Sequence, residues 1–187
     1  MWKQLFLDTI YVPQTAARTL MSFKLTPGDA WAALILASCL NAIAFFVTVM
    51  VFPPLTTPVV NFVSPMMLAG ILVVVMGVGA TSLFYAGRAI AGAASFAEIL
   101  TLVAWLQFMR LAVQIAGFVL MIFLPGLANI AMFLAGLYGI WILLAFITEA
   151  QGFERIGKAL MNLMLAFGGM VIFFSILFPF LGLGLTE

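Results

Sequence analysis

The 187-residue sequence contains no histidine, a single cysteine and only 7% charged residues. Each scarcity excludes something. Without His, and with Cys39 alone inside an apolar run, a Cys/His metal centre and an intrachain disulfide are ruled out. A soluble domain carries roughly 25% charged residues, so a chain this poor in charge has lipid as its main solvent. Gly-x-Ser-x-Gly and His-Glu-x-x-His are absent, and no two carboxylates share a mid-span face. No acidic or His relay lies in the apolar runs, as a proton-coupled carrier would require. The chain reads as a non-enzyme that needs no cofactor. Its net charge of +1 gives no footing for a nucleic-acid partner.

What is present is hydrophobic: 66% apolar residues and a mean hydropathy of +1.31. A span needs about 20 apolar residues. Five segments qualify, at 30–52, 65–87, 96–124, 127–148 and 157–181. The expected fold is an all-α, polytopic transmembrane bundle over 29–187, preceded by an interfacial amphipathic segment over 1–28. Prolines 53, 54 and 58 cannot continue a helix, and Pro125-Gly126 makes a tight reversal. Thr26-Pro27-Gly28-Asp29 reads as an N-cap, N1 proline and capping-box acid, and Ser64-Pro65 opens the second span in the same way.

In the N-terminal segment, Trp2, Leu5, Phe6, Thr9 and Ile10 follow one helical face. Beyond Pro13, a second short helix carries Ala17, Leu20 and Met21. These helices suit the membrane interface, a site against the end of the bundle, or both. Lys3, Asp8, Arg18 and Lys24 interrupt residues 1–24, which lack a cleavable signal pattern, so the first span is expected to be retained.

Of seven basic residues, Arg110 lies within a span and the other six fall on one side of the five-span arrangement. The positive-inside rule places that side, and the N-terminus, in the cytoplasm and the C-terminus outside.

Arg110 is the one intramembrane charge, and Gln107 and Gln114 flank it at helical spacing. With Asn41 of the first span they form a candidate polar intramembrane site. If the third span begins at Phe96, Arg110 lies near the midplane. If 96–104 lies at the interface with Trp105 as the belt residue, Arg110 is only ~7 Å inside and can snorkel; this shallow placement is the preferred one. A candidate cytoplasmic contact surface comprises Arg18, Arg88, Glu149, Glu154, Arg155 and Lys158. Small residues, among them Ala131, Ala135 and Gly139, suggest helix-packing seams.

Several segments carry a family resemblance. They are Asp8-Thr9-Ile10 with Pro13 and Ala16-Ala17-Arg18; Trp31-Ala-Ala-Leu; Gly87-Arg88-Ala-Ile-Ala-Gly-Ala-Ala-Ser-Phe96; Ile99-Leu-Thr-Leu-Val-Ala-Trp105; and Glu149-Ala-Gln-Gly-Phe153. In this order they resemble the Yip family of Ypt/Rab-interacting membrane proteins, in its compact bacterial form. The resemblance implies five spans and a cytoplasmic N-terminus, and its bacterial form makes a bacterial inner membrane, with a periplasmic C-terminus, the expected location. For eukaryotic members it implies links to Rab-type GTPases and to vesicle or Golgi membranes. The function expected here is a membrane-organising scaffold that binds lipid, with other membrane proteins or a second copy as further partners. The alternative is a small transporter or lipid-translocating protein using a polar path around Arg110.

Overall fold

The computed structural model describes residues 2–53 and 64–180, apart from the side chains of Phe178 and Phe180. The expected connection at 54–63, the last residue of the fifth span and the C-terminal tail lie outside the described residues. All regular structure among the described residues is helical: α1 (Trp2–Tyr11), α2 (Pro13–Ser22), α3 (Pro27–Val51), α4 (Pro65–Ala89), α5 (Phe96–Phe123), α6 (Pro125–Gln151) and α7 (Ile156–Phe180). Five helices, α3 to α7, are long and apolar enough to cross a membrane.

Local chemistry sets the helix ends. The Thr26 hydroxyl accepts from the Asp29 N–H at 3.2 Å, and the Asp29 carboxylate accepts from the Thr26 N–H at 3.3 Å. Ser95 and Glu98 repeat this capping box at the start of α5. Each box satisfies two backbone donors that the helix cannot satisfy itself. At Ser64 the hydroxyl alone caps α4, accepting from the Met67 N–H at 3.1 Å. Helix α6 ends where Gly152 turns left-handed at φ 66°. The Phe153 N–H then reaches back to the Thr148 carbonyl at 2.9 Å. Glycine takes that backbone conformation without the Cβ clash other residues meet.

Around the bundle the order is α3, α5, α6, α7, α4, with α4 also touching α5. Asn41 meets Gln107 and Phe52 meets Phe118, at the same sequence offset. Helices α3 and α5 therefore run side by side, parallel and in constant register. Helix α6 returns antiparallel along α5, with Met132 beside Gly117.

The two ends of this bundle differ. At the end holding the starts of α3, α5 and α7, packing is dense. The Trp31 ring lies against Gly77, Trp31 and Phe96 are 6.4 Å apart, and Phe96 and Phe84 are 5.9 Å apart. Residues Ile99–Ala104 are all buried. Helix α2 packs on α6 and α5 over this closed end, burying Ala16, Ala17 and Leu20. At the other end, no residue between Arg110 and Phe123 is buried. Along Leu127–Trp141 of α6 only Ala128 is buried, with Ala131, Ala135 and Gly139 half-buried on the same stripe.

Candidate functional site

At the closed end, the side chain of Gln151 is 2% exposed, and its Oε1 accepts from the Ala94 N–H at 3.3 Å. Its backbone carbonyl accepts from the Ala93 N–H at 3.1 Å. The amide group fills the space where side chains at Gly87 and Gly92 would stand. Two sequence segments that carry the family resemblance, 87–96 and 149–153, thus interlock through one glutamine and two glycines. Gln151 escapes a search for chemistry because an amide near a helix end resembles loop polarity. The Gly-rich segment 57 residues before it in the bond to Ala94 is its counterpart.

The N-terminal helices are held on the flank of the α5–α6 hairpin. Trp105 Nε1 donates to Thr9 Oγ1 at 2.9 Å, while the Thr9 hydroxyl donates to the Leu5 carbonyl at 2.8 Å. Trp2 stacks on Trp105 with ring centroids 6.3 Å apart, and the Tyr138 hydroxyl donates to the Ile10 carbonyl. The Arg18 guanidinium makes a two-point contact with the Glu149 carboxylate, its second hydrogen bond being 3.2 Å. The hydrogen bond to Glu149, and then its charge, raise the Arg18 pKa above the ordinary arginine value. A raised pKa means this contribution is complete below the ordinary value and is lost only as pH rises past the folded one. On the arginine side the clamp therefore persists across the whole neutral and mildly alkaline range.

The expected amphipathic face is consequently divided. Leu5 and Thr9 are buried against the protein, while Trp2 and Phe6 are exposed, as are Leu7, Tyr11 and Val12 from the rest of the helix and its end; Trp2 is 61% and Tyr11 76% exposed. The other candidate contact residues scatter. Arg88 lies 5.1 Å over the Phe84 ring. Glu149 turns to Arg18 rather than to Arg155 or Lys158, and Glu154, Arg155 and Lys158 are exposed, with no ion pair among the described residues. The α6–α7 connection is therefore not one charge cluster: α2, distant in sequence, takes its best-placed carboxylate.

Of the four candidate intramembrane residues, two meet directly. Asn41 is 1% and Gln107 3% exposed, and Asn41 Nδ2 donates to the Gln107 carbonyl at 2.9 Å and to the Ala37 carbonyl at 2.8 Å. Asn41 Oδ1, Gln107 Nε2 and the nearby Ser38 Oγ are buried without a partner. Leaving such an atom unpaired costs roughly 1–3 kcal/mol, so an unpaired group in a native core points to water or a ligand. Ser38, three residues before Asn41 on one α3 face, belongs to this node although a lone Ser gives no signal in sequence. Asn162 of α7 is likewise fully buried and unpaired. Its signal was a single amide in an apolar run.

Arg110 and Gln114 leave that buried node. Arg110 is exposed and Gln114 half-buried, and Arg110 makes no hydrogen bond or ion pair among the described residues. Both intramembrane readings of depth remain compatible with its place about 21 Å along α5 from Phe96. An arginine inside a span costs about 2.5–3.5 kcal/mol on insertion scales. One or two hydrogen bonds to a charged partner, at about 1.5–3 kcal/mol each, offset that amount. Among the described residues no carboxylate pairs with it: Asp29 and Glu98 cap helices, and Glu149 holds Arg18.

No group of three metal-ligating acidic, His or Cys side chains occurs among the described residues. No curated protein and no solved structure matches the chain. A family model does: the Yip1 domain matches residues 7–177, a stretch that runs from α1 into α7 and contains both the Gln151 interlock and the Asn41–Gln107 node. The chain belongs to the Yip1-domain family of multi-pass membrane proteins.

Proposed function

We propose that this protein is a non-enzymatic membrane scaffold whose N-terminal helix pair is a fixed, lipid-embedded part of its working surface. One observation carries the reading. Helices α1 and α2 are pinned by Trp105, Tyr138 and Glu149, yet Phe6, Leu7, Tyr11, Val12 and much of Trp2 remain exposed. A helix with one apolar face on protein and another outward is suited to the boundary of one leaflet. The pinning gives that boundary a fixed shape. Arg88, Glu154, Arg155 and Lys158 stand beyond it for a membrane protein or a second copy to meet. The domain division is accordingly an interfacial segment over 1–28 and a five-span body over 29–187. In this reading the membrane is a bacterial inner membrane with the C-terminus in the periplasm, and the one-sided loop charges support the cytoplasmic N-terminus.

The test uses full-length protein in phosphatidylcholine vesicles, with Tyr11→Cys in a Cys39→Ser background and an environment-sensitive fluorophore on the new thiol. The expected result is a blue-shifted emission quenched by brominated acyl chains and not by iodide. A water-like emission quenched by iodide would refute the embedded scaffold. A second reading, a carrier or lipid-translocating protein, draws on the unpaired polar atoms beside Asn41 and Gln107 and on the open position of Arg110. The same vesicles decide between them: movement of a fluorescent short-chain phospholipid between leaflets faster than in empty vesicles, abolished by Arg110→Leu, would replace the scaffold reading.

A further inference from the structure

The α1–α2 pair flanks one end of the molecule only, and its bonds fix how far it reaches. Trp105, the donor to Thr9, lies about 14 Å along α5 from Phe96. Tyr138, the donor to the Ile10 carbonyl, lies about 20 Å along α6 from Gln151. Glu149, which holds Arg18, is in the last turn of α6. Helix α5 has 28 residues and is about 42 Å long. The pair therefore lies beside the closed half of the α5–α6 hairpin. Further along, Ile115, Val119 and Ile122 of α5 and Ile130, Phe133 and Leu134 of α6 are exposed.

The open half does not recover this cross-section by splaying. Phe52 and Phe118 are 5.7 Å apart, and Met132 lies against Gly117. Helices α3, α5 and α6 are still packed together near their far ends. The closed half is therefore the wider one. At about 10 Å wide and 15 Å long, α1 alone adds roughly 80–150 Å² to one leaflet, less if upright and more if flat. Its exposed side is mixed, with Lys3 and Gln4 beside Phe6, Leu7 and Tyr11, as suits a helix at the depth of the headgroups and upper acyl chains. A free amphipathic helix leaves a membrane whose lipids are too tightly packed. This one leaves only by breaking its bonds to Trp105, Tyr138 and Glu149. The extra area is built into the shape of the protein.

We propose that the pinned pair makes the protein a one-sided wedge, which settles where the leaflet on the α1 side is convex. A bilayer accommodates unequal areas in its two leaflets by bending away from the larger one. The partner recognised is thus a lipid surface of that curvature, whose loosened headgroups admit Phe6, Leu7 and Tyr11 most readily. The proposal rests on the embedded reading of α1 given above, and adds what such a scaffold recognises.

The experiment lets the full chain choose its orientation. Lys158→Cys in a Cys39→Ser background puts one thiol at the exposed start of α7, on the α1 side. Phosphatidylcholine vesicles form around the protein as detergent is removed, and are then separated by size. A membrane-impermeant maleimide reads how much protein has its α1 side outward in each size class. The ratio of outward to inward protein should be about twofold higher in the smallest class than in the largest, whose membrane is nearly flat. A ratio independent of size would overturn the wedge. Phe6→Gln, Leu7→Gln and Tyr11→Gln together change exposed side chains only, and should abolish the size dependence by lifting α1 off the acyl chains. They leave the bulk outside the membrane unchanged. Size dependence that survives them would come from the loops, and would also overturn the proposal. If the triple variant is not monodisperse, Leu7→Gln with Tyr11→Gln takes its place and should reduce the effect. The fluorophore at Tyr11→Cys separates the two readings. Blue-shifted emission with size-independent orientation refutes the wedge alone, whereas water-like emission refutes the embedded helix with it.

Discussion

The two halves of α5 are one helix of similar apolar composition, yet they live in different solvents. From Ile99 to Ala104 every residue is buried among α2, α3, α4 and α6; from Arg110 to Phe123 none is. In water such a difference would show as a change in polarity. In a membrane, lipid tails are as apolar as leucine, so burial against protein and exposure to lipid favour the same residues. What separates the halves is shape and pairing. The closed half has an interlocking amide, tight glycines and capped ends, while the open half has a charge unpaired among the described residues and, apart from Gly117 against Met132, glycines with space around them.

The strongest way to break this comparison is at Gly87. A side chain there would occupy the position of the Gln151 amide. Gly87→Val should destabilise the protein by about 1–3 kcal/mol or more, the range for overpacking a filled core. It would be read as the midpoint of unfolding in mixed detergent and SDS. Gln151→Ala alone removes the partner of the Ala94 N–H and should lose roughly 1–3 kcal/mol. The two changes together should lose less than their sum, because Gln151→Ala removes the collision that Gly87→Val creates and the added side chain fills part of the space the amide leaves. Additive losses would show that the closed end is not held by this interlock.

A smaller effect is expected where the N-terminal helices join the bundle. Trp105→Phe keeps the ring beside Trp2 but removes the donor to Thr9 Oγ1. Thr9 keeps its own bond to the Leu5 carbonyl, so no buried hydroxyl is stranded. The loss should be about 1 kcal/mol, and it should appear locally: amide exchange in residues 2–22 should quicken while exchange in α3 and α4 does not change. Uniform acceleration would mean that α1 and α2 fold only as one unit with the five long helices.

How much of this was legible follows from the same contrast. Caps were readable because Thr26-Pro27-Gly28-Asp29 is a local pattern whose chemistry closes within three residues. The helix pair around Pro13 was readable for the same reason. The family was readable from the order of small-residue segments, which the Yip1-domain match bears out. Pairings between distant segments were not. Nothing in Glu149 says that it meets Arg18 rather than Arg155, and nothing in Thr9 says that it meets Trp105. The Asn41–Gln107–Arg110–Gln114 group was assembled as one polar stripe from helical spacing alone. The structure divides it, with Asn41 and Gln107 buried between α3 and α5, Gln114 half-buried and Arg110 exposed. Spacing shows which residues share a face of their own helix; how far the neighbouring helices follow that face is a tertiary fact.

The smallest predicted effect sharpens the comparison most directly, because its sign changes between the halves. A Cβ at Gly77 would come within 2.6 Å of the Trp31 ring, whereas a Cβ at Gly139 would meet nothing within 4 Å. In a helix, replacing glycine by alanine gains roughly 0.5–1 kcal/mol where there is room. Gly139→Ala should therefore be neutral or stabilising by at most that amount, although Ala131, Ala135 and Gly139 look in sequence like a close-packing seam. Gly77→Ala should be destabilising, since the gain in helix propensity is set against moving an indole ring wedged between α3 and α4. Both are measured by the same SDS titration used for Gly87→Val. A destabilising Gly139→Ala would mean that a partner, either a second copy or a bound lipid chain, presses on α6 at the level of Arg110. That result would convert the open half from a lipid-facing surface into an occupied interface.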